Sequence, residues 1–130
     1  MRVLVCGGRN YGLVHAEKKR IYNALDELHG DCWPSEEYPL GKEPPKITHV
    51  ISGGATGADS VAIDWAVVNW VPCTEYKADW KKYGRKAGPI RNKQMLDEGK
   101  PDLVLAFPGG PGTENMVLQA LQANIKVVRK

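Results

Sequence analysis

Three glycine-rich turns, Gly7-Gly8-Arg9-Asn10-Tyr11-Gly12, Ser52-Gly53-Gly54-Ala55-Thr56-Gly57-Ala58-Asp59 and Pro108-Gly109-Gly110-Pro111-Gly112-Thr113, each follow a short apolar run and precede a helix-like pattern. Glycine lets the backbone approach a ligand without a Cβ in the way. A helix starting there presents unpaired N–H groups and the positive end of its dipole. Together these suit the cradling of an anion, above all a phosphate. Arg9 adds a guanidinium at a strand mouth, a group that meets phosphate bidentately. Thr56 supplies a hydroxyl, and Asp59 falls in the first turn of the following helix, where it either complements the helix dipole or accepts hydrogen bonds from a ribose. The third turn places several amides at a helix start with Thr113 as its expected cap. Arg91, two residues after Pro89 at another helix start, is directed towards the same crevice. Ligand contacts are therefore expected from Gly7, Gly8 and Arg9; from Ser52, Gly53, Gly54, Thr56, Gly57 and Asp59; from Arg91 and Asn92; and from Pro108, Gly109, Gly110, Gly112 and Thr113.

Other chemistries find less support. The first turn is not G-x-G-x-x-G, and the second strand ends in Ser52-Gly53-Gly54 rather than the acidic residue that takes a dinucleotide ribose, so the pattern is not that of an NAD dehydrogenase. His15, His29 and His49 lack a carboxylate or cysteine at metal spacing and read as surface or structural residues. No Ser-His-Asp or Cys-His arrangement is legible. Neither a metal nor a cofactor is expected. Glu114 adjoins the third turn, either as a helix-start acid or as a carboxylate for chemistry. Between Lys77 and Lys93 stand Lys81, Lys82, Arg85, Lys86 and Arg91 against Asp79 alone, with Trp80 and Tyr83 interleaved. Such a run is either a solvated face or a surface for phosphates and stacked bases.

The elements that must position these groups follow from hydrophobic pattern. Val3 to Cys6, Ile47 to Ile51, Cys73 to Lys77, Leu103 to Phe107 and Ile125 to Arg129 read as short buried strands. Helices are predicted over Ala16–Leu28, Ala58–Trp70, Pro89–Glu98 and Thr113–Asn124 from apolar positions at helical spacing and from Gly and Pro punctuation. Asp31 to Lys46 and Ala78 to Lys86 read as loops. This alternation predicts an α/β, Rossmann-like three-layer sandwich: a mostly parallel five-stranded sheet with helices on both faces. In the order 3-2-1-4-5, the three glycine turns converge outside the carboxyl ends of the strands, where strand order reverses. Trp65 and Trp70 lie on one helix, either in the core or at a subunit interface.

The chain has 130 residues, 42% of them hydrophobic, and a formal net charge of +3. That suffices for one domain, 1–130, and favours anionic partners without the composition of a dedicated nucleic-acid protein. Cys6, Cys32 and Cys73 fit neither a disulfide framework nor a zinc pattern, so a reducing, cytoplasmic setting is expected. The apolar run at the start is too short for a membrane span, and no membrane partner is expected.

These motifs, with Ala78-Asp79-Trp80-Lys81-Lys82-Tyr83-Gly84-Arg85-Lys86-Ala87-Gly88-Pro89-Ile90-Arg91-Asn92-Lys93-Gln94-Met95 and Ala106-Phe107-Pro108-Gly109-Gly110-Pro111-Gly112-Thr113, resemble the YspA-type, YpsA-related branch of the SLOG superfamily, a branch common in bacteria and phages. The resemblance runs from Val3 to about Val128. It implies a Rossmann-like fold, a nucleotide-like small-molecule ligand (phosphoribosyl or ADP-ribose-like) and a homodimer. The superfamily unites DprA (Smf), which binds single-stranded DNA, with the Lonely Guy phosphoribohydrolases, which pair an arginine with the glutamate of Pro-Gly-Gly-x-Gly-Thr-x-x-Glu. Arg91 matches the arginine, but Met116 stands at the glutamate position. A thioether cannot stabilise an oxocarbenium-like charge or activate water. Nucleotide binding is thus the leading expectation. The alternatives are N-glycosidase action with Arg91, Asp59 and Glu114 as tentative catalytic residues, and DprA-like binding of single-stranded nucleic acid through Arg9 and the Lys77–Lys93 segment.

Overall fold

A computed structural model describes residues 1–30 and 47–130. The predicted loop 31–46, with Cys32, lies outside the described residues. Five strands, β1 (Arg2–Cys6), β2 (His49–Ser52), β3 (Cys73–Glu75), β4 (Leu103–Ala106) and β5 (Lys126–Arg129), form one sheet of order β3-β2-β1-β4-β5 in which every pairing is parallel. The helices are α1 (His15–His29), α2 (Ala58–Val68), α3 (Trp80–Tyr83), α4 (Ala87–Gly99) and α5 (Pro111–Gln122).

Continuous apolar runs form the central strands because both faces of the sheet are covered. Val3, Leu4 and Val5 have no exposed surface, and alternation along β1 sends them to opposite layers. Val3 and Val5 join Ile21 and Leu25 of α1 and Val61 and Trp65 of α2 in one core. Leu4 and Cys6 join Met95 and Leu96 of α4 and Met116 and Val117 of α5 in the other. Burying each such side chain contributes about 1.5–3 kcal/mol, so α1 and α2 are fixed to one face and α4 and α5 to the other. The three-layer sandwich is observed, and the strands take the order 3-2-1-4-5 on which the convergence of the three turns depends. The sheet centre is tied again at its lower edge, where the Arg2 amide donates to Asp102 Oδ2 (2.7 Å) and Arg2 Nε to the Gly99 carbonyl (2.7 Å).

Shared predicted elements agree within two residues at each boundary, with three corrections. The stretch 78–86 is not a plain loop: α3 and a 3-10 turn over Gly84–Lys86 occupy it, and the Asp79 carboxylate caps α3 by accepting from the Lys82 amide (3.1 Å). Thr113 is not the cap of α5. Pro111 takes the first helical position, Gly110 is the N-cap, and Thr113 is the third residue of the helix. Trp65 does not reach a subunit interface. It is fully buried, donates from Nε1 to Asp26 Oδ1 of α1 (2.8 Å) and meets the His29 ring edge-on at 5.2 Å. Trp70, by contrast, is 92% exposed.

Candidate functional site

The turns after β1, β2 and β4 lie at the carboxyl edge of the sheet, on either side of the point where strand order reverses. Two of them are packed directly on each other. Gly57 has φ +83°, and a Cβ there would lie 2.5 Å from the Gly8 carbonyl oxygen and 2.6 Å from that of Arg9, distances no side chain tolerates. The first turn also grips the third, for the Gly8 amide donates to the Pro108 carbonyl (2.9 Å). Within the second turn the Gly54 amide donates to Ser52 Oγ (3.2 Å), Ser52 Oγ to the Asp59 carbonyl (3.1 Å) and the Ala55 amide to Asp59 Oδ2 (3.3 Å). Ser52 is fully buried. Gly8, Ser52, Gly54 and Pro108, all expected to meet a ligand, thus spend these groups on holding the turns together.

Gly110 and Gly112 differ. Both line the crevice, and a Cβ at either would meet nothing within 4 Å among the described residues. Gly110 accepts the Glu114 amide (3.1 Å), which leaves the earlier amides of Gly112 and Thr113 at the open end of α5, where helical geometry provides no partner.

The crevice has a volume of about 380 Å³, with Val5, Cys6 and Met95 at its apolar side and Arg9, Asp59 and Arg91 among its charged groups. A second compartment of about 310 Å³ adjoins it, lined by Gly53, Thr56 and Lys77 and sharing Arg9, Trp80 and Arg91. Arg91 is half-buried. Its Nη1 donates to the carbonyls of Gly53 (3.0 Å) and Tyr76 (3.5 Å) and its Nε to Asn92 Oδ1 (3.2 Å). Burial lowers its pKa, and the charge of Asp59 works against that shift. Asp59 is 6% exposed. Burial raises its carboxyl from 3.8 to about 6, although the Ala55 amide, Arg91 and Arg9 pull it down. Gly53 lies between the two charges: a Cβ there would stand 2.8 Å from Arg91 Cζ and 2.9 Å from Asp59 Oδ2. Arg9 lies over the Trp80 ring, 5.6 Å from its centroid. Cys6, at the end of β1, has its thiol pushed up to about 12, by burial first and then by Asp59, so it is not a nucleophile at neutral pH.

The structure therefore brings Arg9, Asp59, Arg91, Thr113 and the glycines at 7, 8, 110 and 112 to one crevice. Glu114 is placed elsewhere: it is exposed and ion-paired with Arg129, whose hydrogen bond holds its carboxyl below the usual range. Met116 is 1% exposed, packed in the α4/α5 core. Asn92 lines the crevice, but its polar atoms are used by the protein, Oδ1 by Arg91 and Nδ2 by the Gly112 carbonyl and Asn115 Oδ1, both at 3.1 Å. Asn115 and Gln119 were missed by sequence reasoning. Their spacing of four residues on one helix was the signal. Among the described residues, no group of three or more His, Cys, Asp or Glu side chains is arranged to hold a metal, and no helix is long and apolar enough to cross a membrane.

A solved structure with a similar outline is DNA processing protein A (DprA) from Streptococcus pneumoniae, at TM-score 0.49 and 15% identity, covering 98% of this chain. The chain spans 58% of that protein's length. Gene 61 protein of Mycobacterium phage D29 is 36% identical over 138 residues, covering 98% of this chain and 94% of its relative. The family model described as "YspA, cpYpsA-related SLOG family" matches residues 1–83. With more than half of the chain matched by that model, the protein belongs to the YspA, cpYpsA-related SLOG family.

Proposed function

We propose that the crevice binds a nucleotide or nucleotide-derived phosphoribosyl ligand. Arg9 and Arg91 hold phosphate, Asp59 accepts from ribose hydroxyls, the amides of Gly112 and Thr113 take a second anionic group, and Trp80 offers a face to the base. The observation that carries this reading is the pair Gly110 and Gly112. Among the described residues no atom requires glycine at either position, yet both line the crevice together with Arg91, which suits close approach of a ligand to backbone amides. The test is isothermal titration with adenosine monophosphate, ADP-ribose and cyclic nucleotides. Micromolar binding by at least one is expected, weakened by about a hundredfold but still measurable in Arg91→Ala, the loss of a charged bidentate contact, and unchanged in Glu114→Gln. Absence of micromolar binding across the panel, or full affinity in Arg91→Ala, overturns the reading.

Asp59 favours a second reading, hydrolysis of the N-glycosidic bond. A buried carboxyl with a pKa of about 6 beside an arginine is poised to act as a general acid or base near neutral pH. Glu114, paired with Arg129 outside the crevice, adds nothing to it. Chromatography for released base decides the matter: turnover that survives Asp59→Asn counts against Asp59 as the group responsible.

A further inference from the structure

A chain of side-chain amides runs between α4 and α5. Arg91 Nε donates to Asn92 Oδ1, and Asn92 Nδ2 donates both to the Gly112 carbonyl and to Asn115 Oδ1. Gln119 Nε2 closes the chain by donating to Asn115 Oδ1 (2.7 Å) and to the Pro89 carbonyl (3.1 Å). Its polarity is fixed from both ends, because Arg91 can only donate and the carbonyls of Gly112 and Pro89 can only accept. Each amide therefore has one workable orientation. Asn92 is 3% exposed, so a lost partner would leave a buried amide unsatisfied at full cost.

The chain does more than tie two helices. The hydrogen bond to Nε sets the plane of the Arg91 guanidinium and so the direction of Nη2. The bond to the Gly112 carbonyl sets the Gly112–Thr113 peptide plane, and because a trans peptide holds C=O and N–H antiparallel, it also aims the Thr113 N–H. These are two of the groups that meet the anion in the reading above. We infer that Asn92 is a positioning residue: through Arg91 Nε and the Gly112 carbonyl it sets the angle between guanidinium and helix amide, making them one cradle, with Asn115 and Gln119 holding Asn92 in place. For its ligand this rests on the nucleotide reading; for its geometry it does not.

The experiment has two arms. In the first, nitrogen-15 correlation spectra of the unliganded protein follow the Arg91 Nε–H signal, assigned by its loss in Arg91→Ala. A sharp, protected signal is expected in the wild type, broadened or lost in Asn92→Ala. In the second, titration with adenosine monophosphate is carried through a double-mutant cycle. Asn92→Ala is expected to weaken binding about tenfold, the worth of a charge-assisted hydrogen bond, and its effect is expected to shrink when Arg91 is already alanine. A purely structural tie gives additive losses, and that result, or a wild-type Arg91 signal in Asn92→Ala, overturns the inference. Should Asn92→Ala not fold, Gln119→Ala decides from the partly exposed end of the chain: broadening supports the inference and an unchanged signal overturns it. If the wild type binds no nucleotide, the functional reading fails while the first arm still judges the positioning.

Discussion

At Gly57 a methyl group has nowhere to go, because three carbonyl oxygens of the first turn stand within 2.7 Å of where it would sit. At Gly110 and Gly112, which line the crevice, a methyl group would touch nothing within 4 Å among the described residues. The three turns look alike in sequence yet answer to different partners. The first two are shaped by contact: Gly57 packs on the carbonyls of the first turn, the Thr56 hydroxyl donates to the Arg9 carbonyl (3.4 Å), and Ser52, Gly54 and Ala55 spend their polar groups inside the second turn. The third is divided: a Cβ at Gly109 would lie 2.6 Å from the Gly8 nitrogen, whereas the Gly112 and Thr113 amides at the start of α5 stay outside the helix's own bonding. A glycine-rich motif can therefore mark either a chain-to-chain contact or backbone left open beside a crevice. Which one holds depends on what surrounds the missing Cβ.

The contrast breaks first at Gly57. Gly57→Ala combines a positive φ with a backbone clash and is expected to cost about 3 kcal/mol or more, read as a large drop in the urea midpoint. Near-wild-type stability would show that the two turns are not mutually locked. Next comes the charge inside the second turn. Because burial lifts Asp59 from 3.8 to about 6, the native protein keeps a proton that the unfolded chain releases across that window. Stability should fall as pH rises from about 4 to about 6, by on the order of 2–3 kcal/mol, and be level in this term above it. Asp59→Asn should flatten that slope in urea titrations, and a slope of equal size in the variant would remove Asp59 as its source. The smallest effect sharpens the other side. Gly112→Ala should leave stability within about 1 kcal/mol, if anything raised by alanine's helix propensity, while weakening nucleotide binding about tenfold. A variant that binds as tightly as the wild type would place the ligand away from α5.

Much of this arrangement is legible in the sequence. Buried strands announce themselves as unbroken apolar runs such as Val3 to Cys6, and α/β alternation leaves few topologies, in one of which, the order observed, the three turns meet. Arg91 is legible too, since Pro89 falls in the first turn of its helix. What local pattern cannot carry is the private use of polar groups. The Gly8 amide, the Ser52 hydroxyl and the Asn92 amide look available until the fold sets residue 108 beside 8, 59 beside 52, and 112 and 115 beside 92. Helix α3 is hidden for another reason: four residues are too few to display a period. Trp65 reads equally well as core or interface until Asp26 is seen to take its indole N–H.

The pairing of β1 with β4 joins residues a hundred positions apart, as the bond from the Arg2 amide to Asp102 records. A chain emerging during synthesis holds Arg9 and Asp59 long before it holds Gly112 and Thr113, and contacts so distant in sequence form late because loop closure must precede them. The crevice is thus complete only once α5 has been made and β4 has joined β1. A ligand that needs both halves of the crevice would meet only the folded form, and by mass action would withdraw that form from the pool open to unfolding and proteolysis.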